Sequence, residues 1–373
     1  MVIVLRMLLL LALLPLAPGG QSQEAHTNPL TGLPFDQGDA ARRPVVVKIS
    51  NAPALVRPQA GIGAADWVFE HYTEAGVTRF SAVFYGEAPT RVGSIRSARL
   101  IDTQLVPMFD GLLAFAGASI GVDKTIYGAD AIIEGLCRER EDRQQCYAEA
   151  AAIAPTGDVP ASAFAERAYQ GVTVGNPIYY RDPRLPVPHN LFVDLDALWR
   201  LAAQDGHAQQ PDLGNLRFDD TPPDNAAGTA VRLDARYLTT VARWQYDEDS
   251  GHYLRYTDSQ THRDAVANEQ ISAANVIVLY ADHQETDIVE SQFQGTTYYS
   301  LHIDLSSTGD ALILRDGQAY TVRWGRPDNR GMLQFITDDD DPFALKPGKT
   351  FVQVMPLRDQ RDPQREGVII GAF

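Results

Sequence analysis

The sequence predicts an α/β or α+β amino-terminal domain followed by a small all-β carboxy-terminal domain, and three observations carry that prediction. At 373 residues the chain exceeds the roughly 250 to 300 at which single cores stop growing. Up to residue 205 apolar β-type runs alternate with helical patterns, whereas beyond 228 short β-type runs follow one another between turns. Between them, Gln209-Gln210-Pro211-Asp212 and Thr221-Pro222-Pro223-Asp224 have linker composition. The expected division is a mixed domain over 26–205, a linker over 206–227, a β domain over 228–358 and a tail over 359–373.

The elements follow in order. Met1 to Ala17 carries one charge, Arg6, and the apolar run Met7 to Ala17. That run has signal-peptide length and falls short of the about 20 residues of a membrane helix. Residues 1–25 therefore read as a signal peptide or an uncleaved anchor, with the remainder soluble and outside the cytoplasm. Val45 to Ser50 is a β-branched run bounded by Pro44 and Asn51 and predicts a buried strand. Asp66 to Thr73 and Val77 to Tyr85, separated by Glu74-Ala75-Gly76, predict a β-hairpin with Glu70, Tyr72 and Glu74 on one face. Ser97 opens a helical pattern through Ala98, Ile101, Leu105 and Phe109, which sets Arg96 and Arg99 beside its first turn. Leu112 to Ala116 predicts a second buried strand ending in the small-residue turn Gly117-Ala118-Ser119. Helices are expected over Asp123–Glu134, 144–153 and Ala163–Tyr169, and over Leu195–Gln204 with Asp194 as N-cap.

Composition narrows the function. A chain that is 45% hydrophobic and 21% charged folds rather than staying disordered. The net charge of −16 has no basic block within it, which excludes a nucleic-acid footprint. Cys137 and Cys146 lie in a polar stretch, and in an exported chain they are expected to form a local disulfide. No histidine lies near either thiol, so no metal is expected. No nucleotide fingerprint is present, and no cofactor is expected.

The richest stretch for chemistry is Glu70 to Arg99. Arg79, Arg91, Arg96 and Arg99, with Ser97 and Ser119, are the candidate ligand-binding residues, because guanidinium forks bind carboxylates and phosphates bidentately. The bland reading pairs these arginines with Glu70, Glu74 and Asp102 as an internal ion network. Glu70 and Glu74 are the candidate acid and base of a glycan-cleaving pair, which needs carboxyls roughly 5 to 9.5 Å apart. Four residues of strand separate their backbones by about 13 Å, so the side chains would have to lean together. His189, in Pro188-His189-Asn190, is the first-ranked acid/base histidine. His262 with Asp264 ranks second, and Asp338 to Asp341 reads as a solvated turn.

Several of these segments together resemble the YerB-like family of bacterial envelope proteins. They are Asn28-Pro29-Leu30-Thr31-Gly32-Leu33-Pro34, Arg57-Pro58-Gln59, Gly76-Val77-Thr78-Arg79-Phe80 with the preceding Glu70 and Glu74, Val92 to Arg99, Pro188 to Asn190, Trp244 to Asp247 and Leu345 to Thr350. The resemblance implies a lipoprotein-type chain with a mixed first domain and a β second domain. It carries no catalytic assignment. This chain departs from the lipoprotein pattern in having no cysteine near the end of its apolar run. The functional expectation is an exported envelope protein that binds an anionic glycan or wall fragment at the arginine-rich site. The alternatives are a wall-polymer hydrolase or transferase using Glu70 or Glu74, and an assembly role with protein partners only.

Overall fold

The computed structural model describes residues 26–35, 41–138, 140, 142–152, 160–214, 216–326 and 331–371; the expected signal segment, 1–25, lies outside them. The β-branched and aromatic runs become β1 (Val45–Ser50), β2 (Trp67–Tyr72) and β3 (Thr78–Phe84), all fully buried. β2 and β3 form the expected antiparallel hairpin, with His71 opposite Arg79. α1 (Asp102–Met108) precedes β4 (Leu112–Phe115). α2 (Ile120–Tyr127), α3 (Ala129–Cys137) and α4 (Arg143–Ala152) follow. Cys137 and Cys146 are joined in a disulfide that links α3 to α4, with Cα atoms 5.7 Å apart. β5 (Ala168–Gln170) and α5 (Leu195–Gln204) complete the amino-terminal half, and the Asp194 side chain caps α5 by accepting from the Ala197 N–H.

Three local expectations are corrected. The helix expected from Ser97 begins at Asp102. The Arg96 N–H donates to the Lys48 carbonyl, its own carbonyl accepts from Ala116, and the Ala98 N–H donates to Gly117. Residues 96–98 are thus held in extended form between the neighbouring chains, and their amide groups are not free for helical bonding. The single helix expected over Asp123–Glu134 is two, broken at Gly128, whose φ of 87° only glycine adopts readily. Ala163–Tyr169 is a short 3-10 turn, Ala165–Arg167, running directly into β5.

Beyond Asp205 the described residues contain strands and no α-helix. These are β6 (Arg232–Arg236), β7 (Val241–Asp247), β8 (His252–Thr257), β9 (Asn275–Ala281), β10 (His283–Phe293) and β11 (Thr296–Ile303). β12 (Thr308–Arg315), β13 (Gln318–Gly325), β14 (Thr350–Pro356) and β15 (Gly367–Gly371) follow. The chain is therefore strand-rich, with a mixed first part and a mostly β second part.

The two parts do not have separate sheets. The main sheet runs β13-β12-β9-β14-β2-β3-β1-β4-β5. β14 lies parallel to β9 on one side and to β2 on the other, Gln353 pairing with Val278 and with Glu70. A strand buried along its whole length, as β14 is, needs partners on both edges, and it takes one from each half. The expected linker also pairs, Arg217–Phe218 against Ala344–Leu345, and the expected tail supplies β15, which pairs with β6. β6, β7, β8 and β15 form a second sheet. One face of the main sheet packs Trp67, Phe69, Val83 and Val352 against Leu105 of α1 and Val122 of α2. The other packs Ile49, Phe80 and Phe351 against Leu198 of α5 and Trp244 of the second sheet.

Because β2 and β14 share hydrogen bonds, scanning calorimetry of the mature chain is expected to show one unfolding transition rather than two. A fragment of residues 26–205 alone leaves the edge of β2 without β14, and its amide dispersion in an NMR spectrum should be that of an unfolded or aggregated chain.

Candidate functional site

Alternation along β1, β2 and β3 sends two sets of polar side chains to opposite faces of the sheet. On the face toward the second sheet, the Glu70 carboxylate is fully buried and accepts from Arg255 Nη2 at 2.7 Å, Asn51 Nδ2 at 2.9 Å and the Thr78 hydroxyl at 2.9 Å. Arg255 is equally buried, over the Phe351 ring, and donates to His262 Nδ1. His262 meets Gln59 through its other nitrogen, and burial holds its pKa well below the ordinary value. Asp264 accepts from the backbone of Gly63, Val266 and Ala267. Every group here is enclosed and partnered. Glu70 is consequently an interior ion pair joining the two halves, not an acid or base, and the His262–Asp264 pair is structural.

On the opposite face, Lys48 Nζ is fully buried and spends its three protons on Asp102 Oδ1 at 2.8 Å, the Ser81 hydroxyl at 2.8 Å and His71 Nε2 at 3.0 Å. His71 Nδ1 donates to the Tyr72 carbonyl, which leaves Nε2 as an acceptor and the ring neutral. Burial, with Lys48 beside it, lowers the His71 pKa. Burial also lowers Lys48, to about 8, against the opposing pull of Asp102. Asp102 Oδ2 accepts from the Arg99 N–H.

Above this floor lies the arginine cluster. Arg99 grips Glu74 with two parallel bonds, Nε to Oε2 at 2.7 Å and Nη2 to Oε1, and its Nε lies 3.4 Å from Glu290 of β10. Arg79 donates to the Ser97 carbonyl at 2.9 Å and reaches Glu74 at 3.4 Å. Burial alone would raise the Glu74 pKa, but the Arg99 hydrogen bonds and the charges of Arg99 and Arg79 outweigh it and hold the group near 2. Arg96 differs: its backbone is fixed on both sides, yet its Nε is buried without a partner, and among the described residues no ion pair meets its guanidinium. Burial and the neighbouring Arg99 lower its pKa, against the opposing pull of Glu74. His189 lies close enough that Arg96, after burial, lowers its pKa too, and its Nδ1 is likewise unpartnered. Ser119 caps α2, accepting from Val122.

The structure thus gathers Glu74, Arg79, Arg96, Ser97, Arg99 and His189 in one region, leaves Ser119 two residues beyond the Gly117 that accepts from Ala98, and separates two others. Glu70 points to the other side of the sheet. Arg91 pairs with Asp182 at 2.6 Å and lies over the Phe192 ring, away from the cluster. Glu74 and Glu70 therefore do not form a two-carboxylate pair, because the turn after Tyr72 carries Glu74 out of the strand alternation. Sequence reasoning missed Lys48, Asp123 of α2 and Glu290. A lysine inside the apolar run Val45 to Ser50 was a readable signal; the other two come from elements remote in sequence. A cavity of about 410 Å³ adjoins the cluster through Glu74, and Tyr72, His283, Tyr298 and Tyr299 line it.

This two-part, strand-rich chain belongs to a family described as "Protein of unknown function (DUF3048)", its N-terminal domain matching residues 30–208 and its C-terminal domain residues 232–352. It is 26% identical over 335 residues to "Putative lipoprotein YerB" of Bacillus subtilis (strain 168), covering 89% of this chain and 86% of that protein. The crystal structure of YerB protein from Bacillus subtilis has the same fold, with a TM-score of 0.69 at 24% identity over 92% of this chain and 99% of that one.

Two stability outcomes follow from the pairs above. Arg255→Met strands the Glu70 charge in the core and is expected to cost about 3 to 5 kcal/mol in urea unfolding, with Arg255→Met/Glu70→Gln less damaging than Arg255→Met alone. Glu74, whose pKa is held down in the fold, contributes stability above its unfolded pKa of 4.5 that disappears as pH falls toward 2. Glu74→Gln should lower stability at pH 7 by roughly 2 to 3 kcal/mol and flatten the acid limb between those values.

Proposed function

We propose that this chain is an extracytoplasmic envelope protein that binds an anionic ligand of the cell-wall glycan class at the arginine cluster. The observation that carries the reading is Arg96: a half-buried guanidinium that makes no ion pair among the described residues and whose buried Nε has no hydrogen-bond partner, set beside Arg99 and His189. It stands where β1 and β4, two parallel strands, end. Carboxyl ends of parallel strands are where open α/β sheets commonly take ligands. The cavity next to Glu74 adds the rings of Tyr72, Tyr298 and Tyr299, flat surfaces suited to an uncharged part of a glycan, since Glu74, Glu285 and Glu366 also line it. The likeness to a protein named a lipoprotein, together with the amino-terminal apolar run, supports the location. Residues 1–25 are the part that would anchor the chain; among the described residues no helix is long and apolar enough to cross a membrane.

The hydrolase alternative loses its acid/base pair, since Glu70 is enclosed by Arg255 and Glu74 is held ionised by Arg99. The test is thermal unfolding with a panel of acidic wall glycans. A ligand present at about 100 times its Kd stabilises by about 2.7 kcal/mol. Wild type should gain a shift of several degrees, and Arg96→Gln should lose it while melting, without ligand, within about a degree of wild type. If no fragment shifts wild type, or Arg96→Gln shifts equally, the reading is wrong.

A further inference from the structure

The arginine cluster is one side of a ring whose other side is acidic. Residues 96–98 lie against 116–117 through the Ala116-to-Arg96 and Ala98-to-Gly117 hydrogen bonds. Ser119 then starts α2, whose first turn carries Asp123. α2 closes on β10 at Gly121, where a Cβ would stand 2.4 Å from Ile288 Cγ2, so only glycine permits the approach. Two residues beyond Ile288 is Glu290, and Glu290 returns the path to Arg99 at 3.4 Å. Beside Gly117 the space is open, with no atom within 4 Å of the position of a Cβ.

The acidic side is unsatisfied. The Glu290 side chain is only 1% exposed, and although Arg99, Arg79 and the Ser300 hydroxyl favour its charge, its Oε1 makes no close hydrogen bond; Asp123 Oδ1 is buried without a partner as well. Buried carboxylate oxygens that lack donors are costly. Burial raises both pKa values, and Asp123, at about 6, is raised further by the Glu290 charge. A hydroxyl group, with one proton to donate, would meet only one of these oxygens and leave the repulsion in place. An ammonium group would relieve both.

Building on the anion-binding reading, we propose that the same site takes a zwitterionic amino-carboxylate ligand, of peptide type, its carboxylate on Arg96 and its ammonium between Asp123 and Glu290.

The test is an NMR chemical-shift titration of the mature protein with matched pairs. Alanyl-alanine is set against N-acetyl-alanyl-alanine, 4-aminobutyrate against butyrate, and 6-aminohexanoate against hexanoate. At least one zwitterion should bind tenfold or more tighter than its partner lacking the ammonium. Asp123→Asn and Glu290→Gln should each remove that advantage and leave the plain anion within about twofold; Arg96→Gln should weaken both. Asp123, the less buried of the two acids, keeps the test decisive if Glu290→Gln fails to fold. Equal binding of the paired probes, or an advantage untouched by Asp123→Asn, overturns the proposal and leaves the anion reading standing. Absence of binding by every probe also overturns it, and the anion reading falls with it only if the acidic glycans fail to shift the wild-type melt as well.

Discussion

β14 is hydrogen-bonded along both edges, to β9 and to β2, and the rest of the molecule depends on that double pairing. It completes the side of β2 that the hairpin with β3 leaves open. It also brings the second sheet close enough for Arg255 to reach Glu70, 185 residues away in sequence, across the shared core. The amino-terminal family segment therefore has a strand edge that pairs with β14 and a buried carboxylate whose ion-pair partner, Arg255, comes from the carboxy-terminal segment. Two stretches recognisable as separate units in sequence are one unit in hydrogen bonding.

That arrangement leaves three layers of buried charge around β1, β2 and β3, distinguished by how fully their hydrogen bonds are met. The Glu70–Arg255 layer is complete, and so is the Lys48–Asp102–His71–Ser81 layer beneath the arginines. Complete networks of this kind hold a backbone in place and offer nothing to a ligand. The third layer is incomplete at Arg96, Asp123, His189 and Glu290. Unmet hydrogen bonds also occur at Arg43, Trp244, His283, Ser300 and Arg361; what marks this layer is that Arg96 adjoins His189 and Asp123 adjoins Glu290, so ionisable groups of both signs lack partners side by side.

Much of the local structure was legible in the sequence because it depends on local chemistry. The hairpin over Asp66 to Tyr85, the Asp194 cap and the Cys137–Cys146 pair all follow from residues near one another. Of the four arginines expected in one cradle, Arg79 and Arg99 lie on Glu74 with Arg96 beside them, whereas Arg91 pairs with Asp182. Two local inferences failed, one to a partner from elsewhere and one to a turn. Ser97 does not begin a helix, because β1 and β4 take up the neighbouring amides. Glu70 and Glu74 do not share a face, because β2 ends at Tyr72 and Glu74 already opens the 3-10 turn Glu74–Gly76. Asp123 and Glu290 were illegible, since nothing local brings a first-turn helical aspartate to a strand 167 residues later. Only the packing of Gly121 on Ile288 does.

The bland reading of the cluster, an internal ion network, accounts for Arg79 and Arg99 but not for Arg96. Glu74 is bound bidentately by Arg99 and touched by Arg79, and Glu290 leans on Arg99 as well. Both nearby carboxylates thus spend their direct contacts on other arginines, and the more distant pull of Glu74 on Arg96 does not offset burial and Arg99, which together disfavour its charge. An arginine placed only for stability would be expected to have a partner or reach solvent freely, because an uncompensated half-buried cation destabilises the fold that holds it. Its backbone is held in the sheet by Lys48 and Ala116, so the chain cannot carry it away. The simplest relief for such a group is a negative charge from outside the chain, and the fixed backbone means that little ordering of the main chain remains to be done when it arrives.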